Sequence, residues 1–227
     1  MLDPLPVEEE LSVVLAGRFQ GADFGSEKLV AKGILSLQEG QRVLPRKKRT
    51  LLIGTGFTLD GITLFVTPSK LNLETHDVSC GDRLRDLVLG ILHHAMGTPS
   101  QACGINYEFF FTLPHDQARD ELLFRQAPVN RKWSGVLEHP MVRNLTVSGQ
   151  RGGKFPGENN VSVRPWKRQE HGIMVAVNYN FPIPSDSEAH ELPKLASEFL
   201  EKEWSPALAF AHRAVRNLFS NGSSHAS

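Results

Sequence analysis

Residues 172–181 place Ile173, Val175, Val177 and Tyr179 at alternate positions, with Ala176 and Asn178 between them. A side-chain period of two is the signature of a strand with one buried face. The same alternation recurs at 11–19, where Leu11, Val13, Leu15 and Phe19 share a side with Gly17. Further apolar runs at 50–54, 62–66, 71–75, 102–113, 142–149 and 160–166 are bounded by turn residues. Asp60-Gly61 is the strongest hairpin signal, because both central residues of a type I′ turn need positive φ. Pro68 marks an edge position or a bulge between 62–66 and 71–75. The run Phe109-Phe110-Phe111 within 102–113 reads as a strand buried on both faces.

Helical period is rarer. Leu84, Val88, Ile91, Leu92 and Ala95 follow the spacing of a core-facing stripe over 82–96. Ser79-x-x-Asp82 resembles a capping box ahead of it, and Gly97 and Pro99 stop it. His93-His94 falls in the last turn, where imidazole suits the helix C-terminus; adjacent residues point about 100° apart and cannot clamp one metal. Residues 26–34 fit a short helix with Ser26 as N-cap, and 116–124 fit another. Two stretches, 193–204 and 206–219, read as one kinked helix or as two, because Ser205-Pro206 favours a fresh start.

The expected fold is therefore α+β: a mainly antiparallel sheet of six to eight strands with helices on one face and a C-terminal helical arm. Residues 1–181 form the sheet domain and 182–227 an acidic linker with the arm, packed as one domain overall. Two cysteines, Cys80 and Cys103, cannot build a disulfide framework and are expected to be reduced and structural. The acidic start of the chain (Asp3, Glu8, Glu9, Glu10) has neither the basic nor the apolar region of a signal peptide, and no apolar stretch is long enough for a membrane span. A cytoplasmic protein that does not touch membranes is the expectation.

Catalytic signatures are not found. The chain has no Walker loop, no nucleophile elbow, no CxxC, no HxxxH and no calcium loop, and Gly54-Thr55-Gly56 lacks the third glycine of a dinucleotide fingerprint. No catalytic residue, metal ligand set or cofactor is assigned.

Charge is the more informative feature. Lys+Arg and Asp+Glu are equal at 25 each, but they are segregated. Arg46, Lys47, Lys48 and Arg49 form one basic cluster, and Arg143, Arg151, Lys154, Arg164, Lys167 and Arg168 lie in a second basic region. Its glycine-rich loop carries Phe155, a side chain that can stack on a base while the cations hold phosphates. The other reading of these residues is a solvated hairpin loop. The segment 186–203 is acidic, and such a split charge favours self-association or docking in a larger assembly. Leu208, Val215, Leu218 and Phe219, with Ala211, share one face of the last helix and are candidates for an intersubunit contact. Trp133, Trp166 and Trp204 are further candidates for interface residues.

Gly104-Ile105-Asn106-Tyr107, Ala127-Pro128 ahead of Trp133, Val177-Asn178-Tyr179-Asn180-Phe181 and the ending Ala211-His212…Val215…Leu218-Phe219 resemble a poorly characterised, sporadically distributed group of bacterial proteins. That group brings no assigned activity. The resemblance implies an accessory component of a bacterial or phage-conflict (antiviral defence) system. The leading expectation is a non-catalytic interaction or accessory subunit of a bacterial assembly, with a protein partner or a second copy. A nucleic-acid-binding module using the basic loops is the alternative, and a hydrolase with a site built from scattered residues the second.

Overall fold

A computed structural model describes residues 5–45, 54–94, 98–126, 136–138, 142–184, 188 and 191–220. Its strands are β1 (Glu8–Arg18), β2 (Leu44–Pro45), β3 (Thr55–Leu59), β4 (Ile62–Thr67), β5 (Lys70–Thr75), β6 (Thr98–Thr112), β7 (Leu145–Arg151), β8 (Gly157–Pro165) and β9 (Gly172–Pro182). The helices are α1 (Ser26–Ala31), α2 (Leu37–Arg42), α3 (Gly81–His93), α4 (Asp116–Gln126) and α5 (Leu192–Phe219). All nine described strands join one antiparallel sheet in the order β2-β3-β4-β5-β1-β6-β9-β8-β7. Eight of them are five residues or longer, and β2 adds a two-residue ninth.

The alternation predicts which face is buried. Leu11, Val13 and Leu15 of β1 lie opposite Tyr107, Ile105 and Cys103 of β6. Phe181, Tyr179 and Val177 of β9 continue these rows on the far side of β6. α3 packs on β1 and β5, α5 packs on β6 and β9, and the two helices touch each other. Burying this face removes apolar side chains of every long strand but β7 from water, at roughly 25 cal/mol per Å².

Several local expectations change. Asp60 and Gly61 take φ of 46° and 82° and close the β3–β4 hairpin as the dipeptide predicts. Pro68 is neither a bulge nor an edge: Thr67 pairs with Lys70, so Pro68-Ser69 is the two-residue turn of the β4–β5 hairpin. The segment after Ile34 holds α2, capped by a reciprocal Ser36–Glu39 box that the spacing Ser-x-x-Glu announces. Ser79 does not cap α3. Asp77 accepts from the Ser79 N–H and nucleates a short 3-10 turn instead, leaving Cys80 at the cap position, where its side chain does not cap the helix. Of the strand expected over 50–54, residues 50–53 lie outside the described ones, and β3 begins at Thr55.

The C-terminal segment is one helix of 28 residues with Pro206 inside it. An interior proline costs about 3 kcal/mol. Trp204 on one side of it, and Ala207 and Ala211 on the other, are buried against the sheet layer, and that packing holds the helix continuous. α5 is therefore not an outward arm but part of the layer that covers the sheet. Phe109 and Phe111 are buried under it, and Phe110 is buried on the opposite face beneath Trp166, with ring centres 5.0 Å apart.

Candidate interaction face

A polar row crosses the whole width of the face away from the helices. Thr58, Thr63, Glu74, Ser12, Asn106, Asn178, Asn160 and Ser148 are consecutive register partners, one from each long strand from β3 to β7. Neighbours in the row are joined side chain to side chain at four places. Thr58 and Thr63 hydroxyls lie 3.1 Å apart, and Asn106 Nδ2 donates to Ser12 Oγ at 3.3 Å. Asn178 Nδ2 donates to Asn106 Oδ1, and Ser148 Oγ to Asn160 Oδ1. No described helix packs on this row. An antiparallel sheet commonly leaves one face to water, but here seven of the eight row members are amides or hydroxyls, and those seven are hydrogen-bonded to at least one neighbour.

Beside the row lies a carboxylate cluster. Glu10 and Glu108 are direct register partners on β1 and β6. Burial pushes the carboxyls of both above their ordinary range. The neighbouring charges of Glu108 and Glu74 raise Glu10 further, with His76 opposing. Arg164 and His76 partly offset the rise at Glu108. His76 lies 3.1 Å from Glu8 and 3.6 Å from Glu10. Among the described residues, no group of three or more His, Cys, Asp or Glu side chains is arranged to hold a metal ion.

The basic loop has a different role from the expected one. Phe155 is 2% exposed, and its ring sits edge-on to Phe181 at 5.3 Å and to Phe199 at 5.8 Å. It cannot stack on a base without leaving the core. Arg151 donates to the carbonyls of Phe155 and Asn180 and to Asn159 Oδ1, so its guanidinium is occupied within the fold. Lys154 pairs with Glu198 of α5 at 2.6 Å, which raises the amine and lowers the carboxyl. These three candidate nucleic-acid residues instead fasten the β7–β8 turn to the helix. Arg143, Lys167 and Arg168 are exposed, while Arg164 lies on the open face over Met174 and near Glu108. Arg46, Lys47, Lys48 and Arg49 lie outside the described residues, as does Trp133.

The apolar stripe of α5 is likewise covered by its own chain. Leu218 and Phe219 are buried, Phe219 meets Phe111 at 4.8 Å, and Leu208 and Val215 pack half-buried against the same core. The intersubunit role expected for these four residues thus loses its free apolar surface. Trp204 is buried as well, so it is a core residue and not an interface anchor.

Two of the segments behind the bacterial resemblance, 104–107 and 177–181, are neighbours on the sheet, and 211–219 belongs to α5; residues 127, 128 and 133 lie outside the described residues. Gly104 faces Asn180 and Asn106 faces Asn178 across β6 and β9. The comparisons with known proteins give no matching family model and no significantly similar curated protein. The chain's own geometry must therefore carry the functional reading.

Proposed function

We propose that the chain is a non-catalytic interaction subunit of a larger bacterial assembly, working in the cytoplasm and docking a basic protein surface on the open face of its sheet. The observation that supports this is the eight-strand polar row, Glu74 within it and Glu8, Glu10 and Glu108 beside it, uncovered by any described helix. Fixed amides and hydroxyls offer donors and acceptors at little ordering cost, and the carboxylates steer a cationic partner. A phosphate backbone on this face would meet those carboxylates. The unpaired thiols Cys80 and Cys103 fit a reducing compartment. No described helix is long and apolar enough to cross a membrane.

Native mass spectrometry of the protein isolated gently from its own cells tests the reading. A stoichiometric protein partner is expected, released near 1 M salt, where the Debye length falls to about 3 Å. Glu10→Lys combined with Glu108→Lys should lose that partner while the circular dichroism stays native. A wild-type protein that purifies alone, or a charge-reversed one that keeps the partner, overturns the proposal.

A further inference from the structure

The two edges of the sheet are protected unequally. At one edge β2 has only two residues, one of them proline, which has no N–H to offer. At the other, β7 runs for seven residues and no described strand lies beyond it. Alternate residues of an edge strand turn their N–H and C=O groups outward, so about three or four residues of β7 present unpaired backbone. Natural sheets guard such an edge with short strands, lysine, proline or a bulge. β7 has none of these. Thr146, Val147, Ser148, Gly149 and Gln150 are uncharged and exposed, and the register with β8 runs without a shift. Arg151, the cation at its end, is folded inward onto Phe155 and Asn180.

From this we infer that β7 pairs antiparallel with β7 of a second copy of the chain, about a two-fold axis at Ser148. A two-fold centred there is the register that pairs all seven residues. It sets Ser148 against Ser148, Val147 against Gly149, Thr146 against Gln150 and Leu145 against Arg151. No like charges oppose each other, and the exposed apolar side chain of β7, Val147 at 59% exposure, meets a glycine. The contact is isologous and closes on itself, so it makes a dimer and not a fibre. An axis normal to the sheet keeps both helical layers on one side. The polar row then continues through Ser148 into the second copy, which doubles the open face.

The test uses the purified full chain in sedimentation equilibrium and native mass spectrometry from about 1 to about 100 μM, the range of moderate association. A monomer–dimer equilibrium is expected. Ser148→Lys and Ser148→Glu each place like charges across the axis and should weaken dimerisation at least about tenfold. Mixed in equal amounts, the two variants should recover the dimer as a heterodimer. Amide exchange of the wild type offers a reading without any variant: residues 145–151 should exchange more slowly at high concentration than at low. A wild type that stays monomeric at about 100 μM overturns the inference. So do single variants that dimerise like the wild type, a mixture that stays monomeric, or exchange in β7 that ignores concentration. The pairing is independent of the acidic face. Glu10→Lys with Glu108→Lys should leave the dimer intact, which separates failure of this inference from failure of the docking proposal.

Discussion

The guanidinium of Arg151 lies 3.9 Å from the centre of the Tyr179 ring. From there Nε and Nη2 donate to the Phe155 carbonyl at 3.0 and 2.9 Å, Nη1 to Asn159 Oδ1 at 2.8 Å and Nη2 to the Asn180 carbonyl at 3.0 Å. Tyr179 in turn donates to Glu203 of α5 at 2.6 Å. One side chain thus ties the end of β7, the β7–β8 turn and β9 together, and through Tyr179 it reaches the long helix. Three carbonyl or amide oxygens that would otherwise be short of donors are satisfied by a single planar fork.

Replacing Arg151 with Ala should therefore destabilise the protein by about 2–3 kcal/mol. Bonds to a charged group contribute about 1.5–3 kcal/mol and the ring contact about 0.5–1 more, offset by water reaching the half-exposed site. Arg151→Lys should recover less than half of the loss, since an ammonium cannot make the fork. Denaturant unfolding measures both. A loss under about 0.5 kcal/mol would mean that water serves those carbonyls equally well.

The glycines of the same hairpin separate by geometry. A Cβ on Gly157 would sit 2.0 Å from the Asn180 carbonyl oxygen, a backbone atom that cannot step aside, whereas a Cβ on Gly149 meets nothing within 4 Å. Gly157→Ala should cost at least about 1–3 kcal/mol by forcing β8 from β9. Gly149→Ala should stay within about 0.5 kcal/mol of wild type. Phe155→Ala empties the pocket between Phe181 and Phe199 and should cost about 3 kcal/mol. Equal melting temperatures for the two glycine variants would contradict this placement of the strands.

The chain has two tyrosines, and both are shifted in the same direction. Burial and the Glu203 carboxylate push Tyr179 up to about 12 from the ordinary 10.0. Burial and a hydrogen bond to Glu9 raise Tyr107 as well. A raised folded-state value means that the stabilisation is full below the unfolded value of 10.0 and is lost as pH rises through the folded one. Titration followed by tyrosinate absorbance should show no ionisation near pH 10 while the circular dichroism is native. An ionisation there, in folded protein, would place one ring in water.

Much of the fold is written in local pattern, and the open face is not. The alternation in β1, β6 and β9 and the stripe of α3 depend on spacing alone, so they can be read directly. Asp60-Gly61 can be read for the same reason, since its turn requires positive φ at both residues. The polar row escapes because Ser12, Asn106, Asn178 and Asn160 come from four strands, and only their register puts them side by side. Each taken alone is an ordinary outward residue. Phe155 misleads in the opposite way. A glycine-rich basic loop looks solvent-filled, but Phe155 packs on Phe181 of β9 and Phe199 of α5, beyond any local window. Pro206 misleads because proline's local cost is set against tertiary packing, which wins over a helix of this length.

The Glu10–Glu108 pair should leave a distinct mark on stability against pH. Both carboxyls are raised above the ordinary 4.5, so the folded state holds their protons more tightly than the unfolded chain does. Their contribution is full below that value and is lost as pH rises through the folded ones. Glu39, Asp77, Asp116 and Glu198 are shifted downward by hydrogen bonds and cations, and their contribution is lost only in stronger acid. The two sets act in different windows. Wild-type stability should thus gain from the pair as pH falls from 7 toward the ordinary carboxyl value of 4.5, before stronger acid removes the other four contributions. Glu10→Gln with Glu108→Gln should abolish that gain and be at least as stable as wild type at pH 7, because the repulsion between partners is gone. The difference between the two proteins isolates the pair from every other titrating group. Binding of a basic partner should move the opposite way, weakening toward pH 5 as the carboxylates take up protons. Denaturant midpoints at pH 5, 6 and 7 decide the point: parallel curves for the two proteins would show that water screens the pair as fully as it does in the unfolded chain.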